Sequence, residues 1–123
     1  MDAYNELPGS DEKLYNLDKV KEISRGNEAF VKRMIHIFSE RLPGILAQIK
    51  DAYNSKDYKK VYDLAHLLKP SIDNMGIVAI KRNIRNIEDL AIENPSSELL
   101  LENINKIDTV LMVVFEQLKD ELK

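Results

Sequence analysis

His66 and Lys69 stand three residues apart in the run Asp57 to Gly76. On a helix that spacing places an imidazole and an ammonium group on the same face. An unperturbed imidazole titrates near pH 6.5, so much of it is neutral near pH 7 and able to act as a nucleophile. The lysine one turn away would offset negative charge on whatever reaches the ring. Both residues are predicted to face water. Val61, Leu64, Ala65, Leu68, Ile72 and Met75 form a three/four-spaced apolar stripe, and His66 lies roughly 140° around the helix from its centre. Lys59, Tyr62, Pro70 and Asp73 share the polar face with the histidine. Pro70 is costly within a helix, about 3 kcal/mol, because it has no N–H to offer the carbonyl four residues back. That carbonyl belongs to His66. The defect either bends the helix around a core or opens space beside the histidine.

The run Ala65-His66-Leu67-Leu68-Lys69-Pro70-Ser71, followed by Gly76, resembles the signature of histidine-phosphotransfer (HPt) domains, approximately A-H-x-L-K-G-S with a glycine ten residues after the histidine. The resemblance implies that His66 accepts a phosphoryl group, Leu68 packs in the core and Lys69 neutralises the phosphoryl charge. Ser71 and Gly76 also match. Pro70 replaces the usual glycine, and Asp73 replaces a small neutral residue. A carboxylate two turns from His66 is expected either to repel a phosphoryl group or to hydrogen-bond the ring. The resemblance spans about Leu14 to Leu122. It implies an all-α fold and phosphoryl exchange with the aspartyl phosphate of response-regulator receiver domains, fed by a hybrid sensor histidine kinase. Any Mg²⁺ would belong to the receiver, and no cofactor is expected in this chain. Docking would use the face around His66 and exposed residues of the first two helices.

Other residues of chemical type surround these. Lys59, at i−7 from His66, is a second candidate cation. A metal site from His66, Asp73 and Tyr62 is disfavoured because ligands seven residues apart on a helix do not chelate readily. His36 lies roughly 140° from the core stripe of its own helix and reads as a surface residue. Phe30 and Ile37 lie to one side of that stripe, either as a second packing face for a short first helix or as an exposed docking patch. Lys81, Arg82 and Arg85 read as a solvated basic face. Glu88 reads as a surface or boundary residue, with orientation of the His66 ring as the alternative. Two functions remain: a phosphorelay carrier active at His66, and a helical interaction module that docks receivers without phosphorylation.

The elements that must position these residues form an antiparallel four-helix bundle with a short extra N-terminal helix. Residues 1–12 read as a flexible arm and 13–123 as the HPt bundle. Leu14 to Leu17 lead into the short helix, with Asp18 as its N-cap, Val20 and Ile23 as its apolar positions and Gly26 beyond its end. Asn27 caps the second helix. Its stripe of Val31, Met34, Ile35, Phe38, Leu42, Ile45, Leu46, Ile49 and Tyr53 keeps its phase across Pro43-Gly44, predicting one long kinked helix. Asp57 caps the histidine helix. The fourth helix carries Ile77, Ile80, Ile84, Ile87 and Ala91. The fifth, capped by Ser96 or Ser97, carries Leu100, Ile104, Ile107, Leu111, Val114, Leu118 and Leu122.

Composition narrows the function classes. The 123 residues carry a net charge of −3, which disfavours a nucleic-acid partner. There is no cysteine, hence no disulfide or thiolate chemistry. No apolar run approaches the roughly 18 residues of a membrane span, and no secretory signal opens the sequence, so a cytoplasmic location is expected. The four glycines are scattered and no GxxxxGK[ST] loop occurs, so the phosphoryl group is expected to come from another protein rather than from bound ATP. One clear stripe per helix predicts a monomer.

Overall fold

The computed structural model describes residues 12–123, which form five α-helices and no strand. The helices are α1 (Asp18–Ile23), α2 (Glu28–Asn54), α3 (Tyr58–Asn74), α4 (Lys81–Glu93) and α5 (Glu98–Leu118). A 3₁₀ turn (Val78–Ile80) leads into α4, and another (Lys119–Leu122) follows α5. The arm expected over residues 1–12 lies outside the described residues except for Glu12. Each of α2 to α5 packs on two of the others: α3 on α2 and α4, and α5 on α4 and α2. With short connections between successive helices, this closes an antiparallel four-helix bundle. No helix among the described residues is long and apolar enough to cross a membrane.

The helix boundaries follow from local chemistry. Asn27 Oδ1 accepts the Phe30 N–H at 3.0 Å to start α2, and Asp57 Oδ1 accepts the Lys60 N–H at 3.2 Å to start α3. Of the two serines considered for α5, Ser97 is the cap, accepting from the Leu99 N–H at 3.1 Å. The α1 cap differs from expectation. Asp18 is the first helical residue, and its N–H donates to Asn16 Oδ1 at 2.8 Å. An Asx turn from Asn16 therefore does the work assigned to Asp18. Ile23 is about half exposed, because so short a helix buries only Val20. Helix α2 runs unbroken through Pro43. Ile77 and Ile80 precede α4 rather than forming part of it, yet both are buried.

The core is aliphatic. Ile49, Leu68, Ile72, Ile84, Ile87, Leu100, Ile104, Ile107 and Leu111 are fully buried, one stripe from each long helix. Every residue predicted for the α3 stripe is buried, whereas Met34, Tyr53 and Leu122 sit half-buried at the core's edge. One polar side chain enters between α4 and α5. Asn103 Oδ1 accepts from Asn83 Nδ2 at 2.9 Å and Asn86 Nδ2 at 3.3 Å, while its own amide donates to the Leu99 carbonyl. A buried amide satisfied in this way favours one register of the helix pair.

The end of α3 is tied to the N-terminal segment. Gly76 adopts φ +63°, its N–H donates to the Asp73 carbonyl, and the Ile77 N–H donates to the Ile72 carbonyl. This is a Schellman termination, with the accompanying Ile77 and Ile72 both buried. Asn16 lies against the glycine, its N–H donating to the Met75 carbonyl at 2.9 Å. A Cβ on Gly76 would fall 2.8 Å from both Cβ and the carbonyl oxygen of Asn16. Gly76→Ala should therefore destabilise the fold by about 1–3 kcal/mol, read from the urea midpoint. Gly26→Ala, with φ +79° but open space around it, should cost less. Equal losses for the two variants would contradict the role given to Asn16 packing.

Candidate functional site

Helix α3 presents His66 to solvent because its core-facing stripe, with Ala65 and Leu68 fully buried, lies on the other side of the helix. The imidazole side chain is 62% exposed. Its Nδ1 nevertheless lies 2.6 Å from Oε2 of Glu88 on α4, a residue buried at 6% exposure. The second oxygen of the same carboxylate, Oε1, accepts from Lys69 Nζ at 2.9 Å. One glutamate thus holds both residues whose spacing suggested chemistry.

Glu88 reads from the sequence as a surface or boundary residue, with orientation of the His66 ring as the alternative; the structure buries it and sets it against that ring. The signal was available in α4: Ile84, Ile87, Glu88 and Ala91 occupy i, i+3, i+4 and i+7, so the glutamate fills a core-facing position. Its protonation follows from its surroundings. Burial pushes the carboxyl upward, but the hydrogen bonds from Lys69 and His66 outweigh it and hold Glu88 below its ordinary value. An ionised carboxylate only accepts hydrogen bonds. Such a carboxylate calls for the hydrogen on Nδ1, the tautomer that would leave the lone pair of a neutral ring on Nε2.

Tyr62, one turn before His66, lies parallel to the imidazole, with ring centroids 5.9 Å apart and planes inclined by 11°. Pro70 is exposed and α3 continues past it, its missing N–H leaving the His66 carbonyl without the usual helical donor. Asp73 corrects one of the two expectations made for it, the hydrogen bond to the ring. It neither bonds the ring nor stands free, because Arg85 engages it through two hydrogen bonds of 2.7 and 3.2 Å. That guanidinium holds the Asp73 carboxyl below its ordinary range. Arg85 accordingly leaves the solvated basic face predicted for it, while Lys81 and Arg82 remain exposed.

Lys59 pairs with Asp63 at 3.1 Å and is 84% exposed. His36 pairs with Glu40 at 3.0 Å, one turn along α2. Gly76 and Ser71 match the motif but do not touch the ring: Gly76 terminates the helix, and Ser71 lines a groove of about 230 Å³ between α2 and α3. Ile37, Arg41 and Leu67 line the same groove, which places an apolar surface beside the His66 face. Phe30 and Ile37 are each 43% exposed, so both present apolar surface to solvent.

The Glu88 interaction sets a pH dependence. Its carboxyl binds a proton less readily in the folded state than in the unfolded chain, whose ordinary value is 4.5. The stabilisation is therefore complete above that value and is lost as pH falls through the depressed one. Urea midpoints followed from about pH 7 down to about pH 3 should fall less steeply for Glu88→Gln than for wild type. Parallel curves would show that the carboxylate contributes nothing to acid sensitivity.

The family model for the Hpt domain matches residues 33–123, about three quarters of the chain, and includes α3, α4 and the whole His66 cluster. No curated protein matches the sequence, and no solved structure matches it. Matched over α3, α4, α5 and most of α2, and folded as a helical bundle that leaves the motif histidine open to solvent, the chain belongs to the Hpt domain family, whose members transfer phosphoryl groups on histidine within phosphorelays.

Proposed function

We propose that His66 is the phosphoryl carrier, taking the group from the aspartyl phosphate of one receiver domain and delivering it to the aspartate of another. The observation that supports this most strongly is the Glu88 carboxylate on Nδ1 of an otherwise exposed ring. With the hydrogen held on Nδ1, Nε2 is the nucleophile. It attacks phosphorus in line with the aspartyl oxygen; the N–P bond forms as the P–O bond breaks, and the bonding electrons leave with the aspartate carboxylate. No proton moves in this step. Positive charge develops on the imidazole, 2.6 Å from the ionised Glu88. Delivery to the second receiver is the reverse reaction with a different aspartate.

Lys69 offsets the charge of the phosphoryl oxygens, and its bond to Glu88 keeps the ammonium near the ring before a partner arrives. Mg²⁺ is assigned to the receiver. The apolar groove with Ile37 and Leu67, extended along α2 towards Phe30, is the proposed receiver-docking surface, with Arg41 at its edge. A hybrid sensor histidine kinase would feed the relay, and the carrier would act as a cytoplasmic monomer.

Receiver domains loaded with acetyl phosphate and Mg²⁺ test the reading. Wild type should acquire an acid-labile, alkali-stable phosphoryl group, followed by phosphate-affinity gel and intact mass, and His66→Gln should acquire none. Lys69→Ala should slow transfer about ten- to a hundredfold. Binding without transfer across a panel of receivers would instead identify a docking module.

A further inference from the structure

We infer that Tyr62 is a positioning residue that fixes the plane of the His66 imidazole for transfer, an inference that rests on His66 being the carrier. The Glu88 hydrogen bond holds one atom of the ring, and a ring held at one atom can still tilt about that contact. The parallel Tyr62 ring, with its centroid 5.9 Å away and its plane inclined by only 11°, stacks in an offset position beside the imidazole and supplies a second constraint. Two constraints of different direction determine the plane, and with it the direction in which Nε2 points. Tyr62 is itself braced, being half-buried and packed against the bundle core. Its i−4 spacing puts it on the same turn-to-turn row as His66, so the stack is built within one helix and exists before any partner docks.

In-line attack depends on alignment, since small errors in the direction of the lone pair lower the rate without weakening encounter. A positioning role therefore predicts a loss in kcat with KM preserved. A mere receiver-contact role predicts the opposite. The constraint comes from the parallel aromatic ring rather than from the hydroxyl, so phenylalanine should substitute for tyrosine and an aliphatic residue should not.

The test compares wild type, Tyr62→Phe and Tyr62→Leu in transfer from a phosphorylated receiver, with NMR of the His66 ring protons in the unphosphorylated proteins. Tyr62→Leu should lose about five- to tenfold in kcat, inside the span of about two- to thirteenfold expected for one aromatic pair, with KM within about twofold. Tyr62→Phe should stay within about twofold of wild type in both. The ring-current shift of the His66 protons should persist in Tyr62→Phe and vanish in Tyr62→Leu. A wild-type kcat in Tyr62→Leu, a loss confined to KM, or equal losses in both variants would overturn the inference. If wild type accepts no phosphoryl group from any receiver, the carrier reading fails and this inference fails with it. Transfer by wild type that is indifferent to Tyr62 removes only the inference.

Discussion

A single buried carboxylate holds the candidate site together. Glu88 meets the His66 ring with one oxygen and the Lys69 ammonium with the other. A buried carboxylate without partners would be too costly to stay ionised. The two donors keep it charged, and in return it offers an acceptor to Nδ1 of the ring. The fold and the proposed reaction therefore share the same three groups. Removing either donor would leave the carboxylate under-satisfied, and removing the carboxylate would free the ring and the lysine together.

This arrangement requires α3 and α4 to hold one register, because His66 and Glu88 are 22 residues apart in sequence yet in direct contact. The Schellman end at Gly76 stops α3 where the chain can turn into α4, and Asn16 closes over that turn. Arg85 ties α4 back to Asp73 near the end of α3. Asn103 fixes the other side of α4 against α5. Glycine, arginine and asparagine contacts, none at the ring itself, thereby determine where the glutamate meets the histidine. The bidentate pairing of Arg85 also answers the Asp73 carboxylate on the histidine face, which would otherwise stand as an uncompensated negative charge two turns from the ring.

Much of this was legible in the sequence because helical periodicity is a local property. The α3 stripe from Val61 to Met75, the caps at Asn27 and Asp57 and the continuity of α2 across Pro43 could all be read from spacing alone. The exposure of His66 followed from the stripe opposite it. Pairings between helices were less legible, since one sequence does not say which exposed charges will meet. Asp73 with Arg85 is such a pair, and so is Lys69 with Glu88. Glu88 is the instructive case: its place in the Ile84, Ile87, Ala91 stripe marked it as buried, but its charge made a surface position the default. The α1 boundary failed for a different reason. Asn16 and Asp18 can both cap a helix, and the choice between them was made by Asn16 docking on the end of α3.

The central claim is that Glu88 fixes the hydrogen of His66 on Nδ1 and leaves Nε2 as the nucleophile. Long-range ¹H–¹⁵N NMR of the imidazole above its titration range measures this directly. The account predicts a protonated, pyrrole-type Nδ1 and a lone-pair, pyridine-type Nε2 in wild type, with the preference lost in Glu88→Ala. A ring protonated on Nε2, or one whose tautomer ignores Glu88, would contradict it.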